Sequence, residues 1–558
     1  MHNSLLRLLT LAVALFLMVG CSQAAAPGGT GPDETKATGG EPKIDPSRCE
    51  PGKEWWRSTG PAVRGGTLVM GAQPVTVEHL DPTASGSVGY RVYEELLVSR
   101  GCFTGDLLLQ PYLAKAWTVS NDGLTWTLTL RDDVKWQNLA PVSGRKFVSS
   151  DVKFSMEHHL SGSIAKALWD GVASMDTPDD KTVIIKLKTS DADFGAKLGF
   201  RDNKMVPKEV KAQYGDFKTV AVGTGPFIHK DYKPGVMRQV VKNPDYWDMG
   251  IDGKPLPYID GMNYATFADT TAELAAMRAN QLDVGNTLAY RKQDWDQVKQ
   301  SNTKLVPWQG LQATWFGVWF NIAEKPWDDV RVRKAVAMAL NSEDLIISDG
   351  NGSVLSGLIP PFFKEYAWPD AKLKEKYKQD ITAAKKLLAD AGYKPGDIKD
   401  SLKSSGAYSQ LAEVVQQQLA AIGIETSVDT SVSTSFTTVV RDKKYKIAAG
   451  IIGGSPLTSY WASDVVRTGS SYNYSNLADR EVDRLALAQG SELDPVKRKV
   501  LTDQLQERVY EIMPVVPATS RVYYYFYSCR AKNTMYITSN QTHNEQFVTQ
   551  MWIDPTGC

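Results

Sequence analysis

The stretch NDGLTWTLTLRDDVKW, residues 121–136, decides how the rest of the chain reads. Asn121, Asp122 and Gly123 supply a turn, and strict alternation follows. Leu124, Trp126, Leu128 and Leu130 share one side, and Thr125, Thr127 and Thr129 the other. Period-two patterning after Asp-Gly predicts a half-buried β-strand leaving a tight turn. Burying each large side chain of that face is worth roughly 1.5–3 kcal/mol. Packing alone therefore explains the pattern, with no need of an active site.

Working outward, GGTLVMG (65–71) reads as a first strand leading into the loop VTVEHLDP, and YRVYEELLVS from Tyr90 reads as a helix. Ser149 or Ser150 is expected to cap the helix DVKFSMEHHL, with Asp151 favourable in its first turn. KTVIIKLK is a second extended segment ending at Lys188. The later part of the chain changes texture. VRVRKAVAMALN follows the capping pair Asp328-Asp329, with Val330, Val332, Ala335, Met338 and Ala339 spaced for one helical face. Asp380 opens ITAAKKLLADAG, which Gly392 stops, and LAEVVQQQLAAIG repeats that design up to Gly423. Asp494-Pro495 launches VKRKVLTDQLQERVYEIM, with Pro at the first helical position. IETSVDT and YKIAAGII lie between the last two helices as strands, so helices and strands alternate as in an α/β unit.

The ends and the composition narrow the function. Residues 8–20, LLTLAVALFLMVG, are too short to span a bilayer, which takes roughly 20 apolar residues. Residues 1–20 have the length and flanks of a secretory signal peptide. Met18-Val19-Gly20-Cys21 resembles the lipobox of bacterial lipoproteins, in which the Cys becomes the lipid-bearing N-terminus. Cleavage after Ala24-Ala25-Ala26, giving a free protein, is the alternative reading. Residues 22–48 hold too little apolar surface to fold, so 21–60 is expected to be a tether, and the body extracytoplasmic. With 558 residues, the chain is long enough for three or four domain-sized units. Its 63 basic and 63 acidic residues cancel, leaving no electrostatic footprint for nucleic acid. Apart from Cys21 the cysteines are Cys49, Cys102, Cys529 and Cys558. Three pairings into two disulfides are open, as are free buried thiols. Cys49 and Cys558 stand near the two ends of the body, which makes a bridge between terminal segments a candidate.

Catalytic and metal motifs are missing. The chain has no H-E-x-x-H, paired C-x-x-C, G-x-S-x-G or Walker A loop. His158 and His159 would diverge by about 100° on a helix and read as packed or surface residues. Ser150-Asp151-Val152-Lys153 and Ser163 to Lys166 both match S-x-x-K, but neither has the companion S-D-N or K-T-G. No metal and no cofactor is expected.

Ordered blocks then point to a family. They run Leu113-Ala114 through Trp117, Asp122-Gly123, Leu130-Arg131, Val134-Lys135-Trp136, Asp151-Val152 and Phe154-Ser155. Gly223-Thr224-Gly225-Pro226-Phe227, Asn243-Pro244-Asp245-Tyr246-Trp247, PYIDGMNYATF and the run ending LDVG at Gly285 follow. Asn321, Pro326-Trp327, Asp329, VRVRKAVAMAL, Ile359-Pro360-Pro361, LLADAGY, IGIETSV, YSNLADREVDRL and IMPVVP complete them. From about residue 65 to 528 the chain resembles the family-5 extracellular solute-binding proteins of ABC importers, whose members bind oligopeptides, dipeptides or nickel. QNLAPVSGRK, after Trp136, is longer than the relatives' link and is expected to be a surface loop.

The resemblance implies an α/β, two-lobed periplasmic-binding-protein fold of the large three-subdomain type, with the ligand cleft between the lobes. Lobe 1 would be 61–315, with an extra subdomain at about 83–214; lobe 2 would be 316–514, and 515–558 would return to lobe 1. Ligand would stabilise closure, and the closed form of this monomer would be recognised by membrane permease subunits. Relatives line the cleft at positions matching Thr76, Val77, Glu78, Gln312, Trp315 and Trp319, and Arg441 could pair with a ligand carboxylate or be a solvated charge. The acid that grips a peptide's amino terminus in relatives falls near Ser455, within GGSPLTSYW, and a neutral Ser gives no charge-assisted bond to an ammonium, which argues against ordinary peptide binding or moves that anchor to Glu78. A ligand sensor on the same fold, or a secreted hydrolase, are the alternative functions.

Overall fold

The strand at the centre of the opening stretch runs Thr125–Leu130, with Trp126, Leu128 and Leu130 buried and the three threonines half-buried. The computed structural model describes residues 61–72, 79–84, 89–101, 107–233, 237–285, 290–431, 433–451, 453–534 and 547–558. The turn closes as expected. Asp122 accepts from Leu124 N at 3.0 Å and from Ser120 Oγ at 2.5 Å, and Gly123 takes φ +71°, a conformation that favours glycine. The strand sits between Ala114–Val119 and Thr182–Leu187 in a four-stranded sheet completed by Val172–Asp179. Its buried face packs with Val152 and Met156 of the helix Ser149–Leu160 in one apolar cluster.

Two local expectations change. Residues 90–99 are not one helix: a 3-10 turn at Tyr90–Val92 gives way to the strand Leu97–Gly101, paired with Leu107–Pro111. Val92, Tyr93, Glu94, Glu95, Leu96 and Leu97 are all buried, so the segment lacks the solvent face an amphipathic helix needs. The helix at 149 is capped by Val148, whose N–H donates to Asp151 Oδ2 at 3.0 Å, while Ser149 Oγ donates to Asp179 O. The excursion 137–146 is the surface loop expected, with Asn138, Ala140, Ser143 and Lys146 exposed, and it is held at both ends: Gln137 is fully buried and donates to Phe227 O at 2.8 Å, and Arg145 bridges Asp151 and Glu209, each at 2.7 Å.

A second four-stranded sheet has the order Thr67–Ala72, Gly261–Thr266, Met237–Lys242, Phe227–Lys233, its first pair parallel. The first sheet's region is welded to it. Glu94, buried between the two, accepts from Tyr246 Oη at 2.8 Å and Trp247 Nε1 at 3.1 Å. Gly225 N donates to Val92 O, and a Cβ at Gly223 would fall 1.9 Å from Val92 O, so the Gly-Thr-Gly run permits a backbone approach no larger residue allows.

The third sheet is six-stranded: Val354–Leu355, Val515–Ser520, Phe316–Phe320, Ile447–Gly450, Ile398–Ser405 and Ile424–Ser431. The helices Val330–Ala339, Ile381–Asp390 and Ser409–Ala420 contribute Val332, Ala384 and Val415 to the core beside it. Asp329, Asp380 and Asp494 all accept first-turn N–H groups, as their sequence positions predict. Val515–Ser520 pairs with Phe316–Phe320, so the chain leaves this sheet after Ser520 rather than at 514.

Cys558 bonds to Cys529, not to Cys49. The short strands Ala531–Lys532 and Trp552–Ile553 pair and bring the two cysteines to a Cα separation of 5.5 Å, within disulfide range. Closing a loop of 29 residues is worth about 3.6 kcal/mol in the chain-entropy picture. Cys21, Cys49 and Cys102 lie outside the described residues.

Candidate functional site

Two strands carry the chain between the sheets, and they run side by side. Leu305–Leu311 pairs with Val522–Ser528 in a two-stranded ribbon, and each continues into the six-stranded sheet, as Phe316–Phe320 and Val515–Ser520. At the junction Gln312 N donates to Arg521 O at 2.9 Å, and Ser520 Oγ donates to Thr314 O at 2.7 Å.

A polar group surrounds this junction. Gln312 donates from Nε2 to Tyr523 Oη, and its Oε1 is buried with no hydrogen bond to any described residue. Arg521 donates to Asp349 Oδ1 at 2.6 Å, and its guanidinium lies 4.9 Å from the centre of the Tyr408 ring. Burial raises the Tyr408 hydroxyl and pushes Tyr523 up to about 12, so both are protonated donors at neutral pH. On the four-stranded side, Arg91 Nε donates to Tyr264 Oη, while Nη1 is buried without a described partner. Tyr264 and Tyr523 pack against the same apolar cluster.

An aromatic wall backs the junction on the six-stranded side. Trp315 stacks on Trp319 at 4.9 Å and meets Trp461 at 5.6 Å; Tyr460, Tyr472 and Tyr474 close the circuit back to Trp319. Trp315 and Trp319 are both 1% exposed, and Trp315 Nε1 donates to Leu358 O, so these rings sit in the core of the wall. Trp319 Nε1 and Tyr460 Oη are buried without a described partner. The wall's last turn, Tyr460–Asp464, is π-helical and carries Asp464, which burial pushes up to about 6 against the pull of Lys197 and Arg467.

Ser455 is buried and serves the loop itself: its Oγ accepts from Leu457 N at 3.2 Å, and its carbonyl accepts from Trp461 Nε1 at 3.0 Å. Thr314 Oγ1 donates to Gly453 O at 2.9 Å, which moors that loop to the crossing. Arg441 ends the helix Ser433–Arg441, 58% exposed, with Asp442 at 3.4 Å. Thr76, Val77 and Glu78 lie outside the described residues. The structure thus brings Gln312, Trp315, Trp319 and Ser455 to one junction and leaves Arg441 on the surface. Arg91, Asp349, Tyr408, Arg521 and Tyr523 escaped the sequence reading. Only the position of Arg521, a lone cation between two apolar strands, could have signalled it.

The histidine pair is structural. His159 is fully buried between Ser163 Oγ and Lys204 O, and burial lowers it to about 4; His158 meets Thr83 Oγ1 at 3.0 Å. Among the described residues no group of three or more His, Cys, Asp or Glu could hold a metal, and no helix is long and apolar enough to cross a membrane.

Comparison with known proteins gives this geometry its context. Heme-binding protein A of Haemophilus influenzae is 27% identical over 420 residues, 69% of this chain and 72% of that protein. Glutathione-binding protein GsiB of Salmonella typhi is 25% identical over 82% of this chain and 89% of its own length. The solved periplasmic binding protein DppA of Helicobacter pylori, in complex with the peptide STSA, has the same fold, with a TM-score of 0.71 at 22% identity over 90% of this chain and 99% of that one. The model of the bacterial extracellular solute-binding proteins, family 5, matches residues 109–474, and the chain belongs to that family.

Proposed function

We propose that the protein is the extracytoplasmic solute-binding component of an ABC importer, which captures a small polar or peptide-like molecule between two lobes and presents the closed form to permease subunits. The observation that carries this reading is the pair of adjacent crossings, with a polar group and an aromatic wall gathered around them. Such a ribbon lets two bodies rotate while holding the floor of a cleft between them. Lobe 1 is assigned to about 61–312 with 521–558, including the subdomain at 83–214, and lobe 2 to the residues between. The ligand shifts the population toward closure only by its differential affinity for the closed state.

Gln312, with its unmatched carbonyl, is assigned to the ligand together with Thr76, Val77 and Glu78, and Arg521, Tyr408 and Tyr523 are added to it. Trp315 and Trp319 support the wall behind them. The neutral Ser455 turn directs the reading away from an amino terminus held there by a carboxylate. Relatives are named for heme and glutathione, and one is solved with a peptide. Any of these classes would meet hydrogen-bonding and aromatic surface here. Cys21 is proposed as the lipid attachment, and Cys21→Ser should release the protein from membranes into the soluble fraction.

A thermal-shift screen of the full chain carrying Cys21→Ser tests the function. Short peptides, glutathione, heme, oligosaccharides, opines and nickel–histidine are the probes. A solute at about 100 times its Kd should add roughly 2.7 kcal/mol of stability. A concentration-dependent rise with one class supports capture. No rise with any class, after refolding to remove carried-over solute, would sink it.

A further inference from the structure

The lobes also touch outside the two backbone crossings. Residues 190–200, in the subdomain that Glu94, Gln137 and Gly225 weld to lobe 1, meet the helices Arg480–Ser491 and Pro495–Ile512 of lobe 2. Asp193 is the centre of this seam. Its Oδ1 lies 2.8 Å from Arg498 Nη1, with both side chains 7% exposed, and its Oδ2 accepts from Ser459 N at 2.7 Å. Arg498 is aimed from its own lobe: Nε donates to Gln489 Oε1 at 3.2 Å, Nη2 donates to Ser459 Oγ at 3.1 Å, and the guanidinium lies 5.3 Å from the centre of the Tyr366 ring. Ala192 N donates to Gly490 O at 2.8 Å, Ser190 Oγ donates to Ser491 O at 3.1 Å, and Leu168, Ala196 and Phe200 pack against the apolar cluster of lobe 2. Lys197 pairs with Asp191 at 2.6 Å and faces Asp464.

We propose that the Asp193–Arg498 pair is a closure latch, a positioning contact that holds the two lobes together across the cleft and sets the closed fraction before any solute binds. The argument is geometric. Rotation about the crossings at 312–315 and 521 leaves the subdomain attached to lobe 1, so every contact of the seam must break together when the cleft opens. In the closed form the two charges are buried and mutually satisfied. Loss of either partner leaves the other buried and unpaired there, while in an open form it is hydrated. The change therefore weighs against closure and leaves the fold of each lobe alone. Affinity for the solute, whatever its class, then scales with the closed fraction the latch maintains.

The proposal rests on the two-lobed binding reading, and hydrogen exchange of the solute-free full chain carrying Cys21→Ser separates the two. Ala192 N is the reporter, because its bond to Gly490 O is untouched by a change at Asp193. The amides of Thr125–Leu130, in the same subdomain, report its folding. In Asp193→Asn and in Arg498→Lys, which keeps the charge and loses the planar fork, exchange at Ala192 should accelerate at least about tenfold with the strand amides unchanged. Equal rates at Ala192 in wild type and both variants would overturn the latch. So would acceleration of seam and strand amides together, which assigns the pair to fold stability. Either failure leaves a positive thermal-shift screen standing, and a negative screen leaves the exchange result standing.

Discussion

At the crossings the lobes are joined by covalent backbone, and the polar groups there, Gln312 with Tyr523 and Arg521 with Asp349, sit beside an axis where little moves. At the seam around Asp193 there is no backbone connection, and the whole contact is made or lost with closure. The chemistry is similar, an arginine on a buried aspartate beside an aromatic ring, with Arg521 half-buried and Arg498 buried, yet the two places should respond differently to the same kind of mutation. The charge pair at the crossings joins the lobes beside the backbone connection, where rotation displaces it least. A charge pair at the seam is part of one conformer only.

The sharpest way to break that comparison is to delete the acid at each place. Asp349 is 2% exposed and carries both Arg521 and Ser353 Oγ, at 2.6 Å each. Asp349→Ala should destabilise the protein by about 3 kcal/mol, read as a lower urea midpoint with an unchanged slope. Asp193→Ala should lose less than half of that, because opening rehydrates Arg498. Equal losses would mean that the seam is as permanent as the crossings.

The parts of the fold set by local chemistry were legible in the sequence. The alternation of Trp126, Leu128 and Leu130, the caps at Asp329, Asp380 and Asp494, and the stops at Gly392 and Gly423 all depend on residues a few positions apart. Residues 90–99 misled because helical spacing shows which residues are apolar, and not that Glu94 and Glu95 would be buried beside them. The disulfide depended on two short strands pairing across about twenty residues. Most of the contacts at the crossings and the seam were illegible for the same reason. Arg521 meets Asp349, 172 positions away, and Asp193 meets Arg498, 305 away, and no pattern in either segment names its partner. Gln312 was within reach because it lies in the strand that makes the crossing.

A titration sharpens the comparison at the seam. Asp464 is driven up to about 6 by burial, against Lys197 and Arg467 and with Asp191 and Asp193 adding to the rise, whereas an unfolded aspartate titrates near 3.9. With the folded value the higher, the folded protein binds the extra proton. The contribution is therefore full below about pH 4 and is lost as pH rises through 6. Asp464→Asn removes it. Wild-type stability, measured relative to the variant, should fall by about 2 kcal/mol between pH 4 and pH 7. Parallel curves would show that Asp464 is hydrated, as an open seam would leave it.

The smallest effect separates support from recognition at the crossings themselves. Gln312 makes one side-chain bond, to Tyr523 Oη, and leaves Oε1 buried with no described partner. Losing the bond in Gln312→Ala should lower stability by no more than about 1 kcal/mol. If Oε1 receives a donor from the solute, affinity for the class found in the thermal-shift screen should drop about fivefold to tenfold, in line with one lost neutral hydrogen bond. Gln312→Glu keeps an acceptor and should retain affinity for a cationic or hydroxyl donor while losing the bond given to Tyr523. A stability loss with affinity unchanged in both variants would place Gln312 with Asp349, as a residue that holds the crossing and does not read the solute.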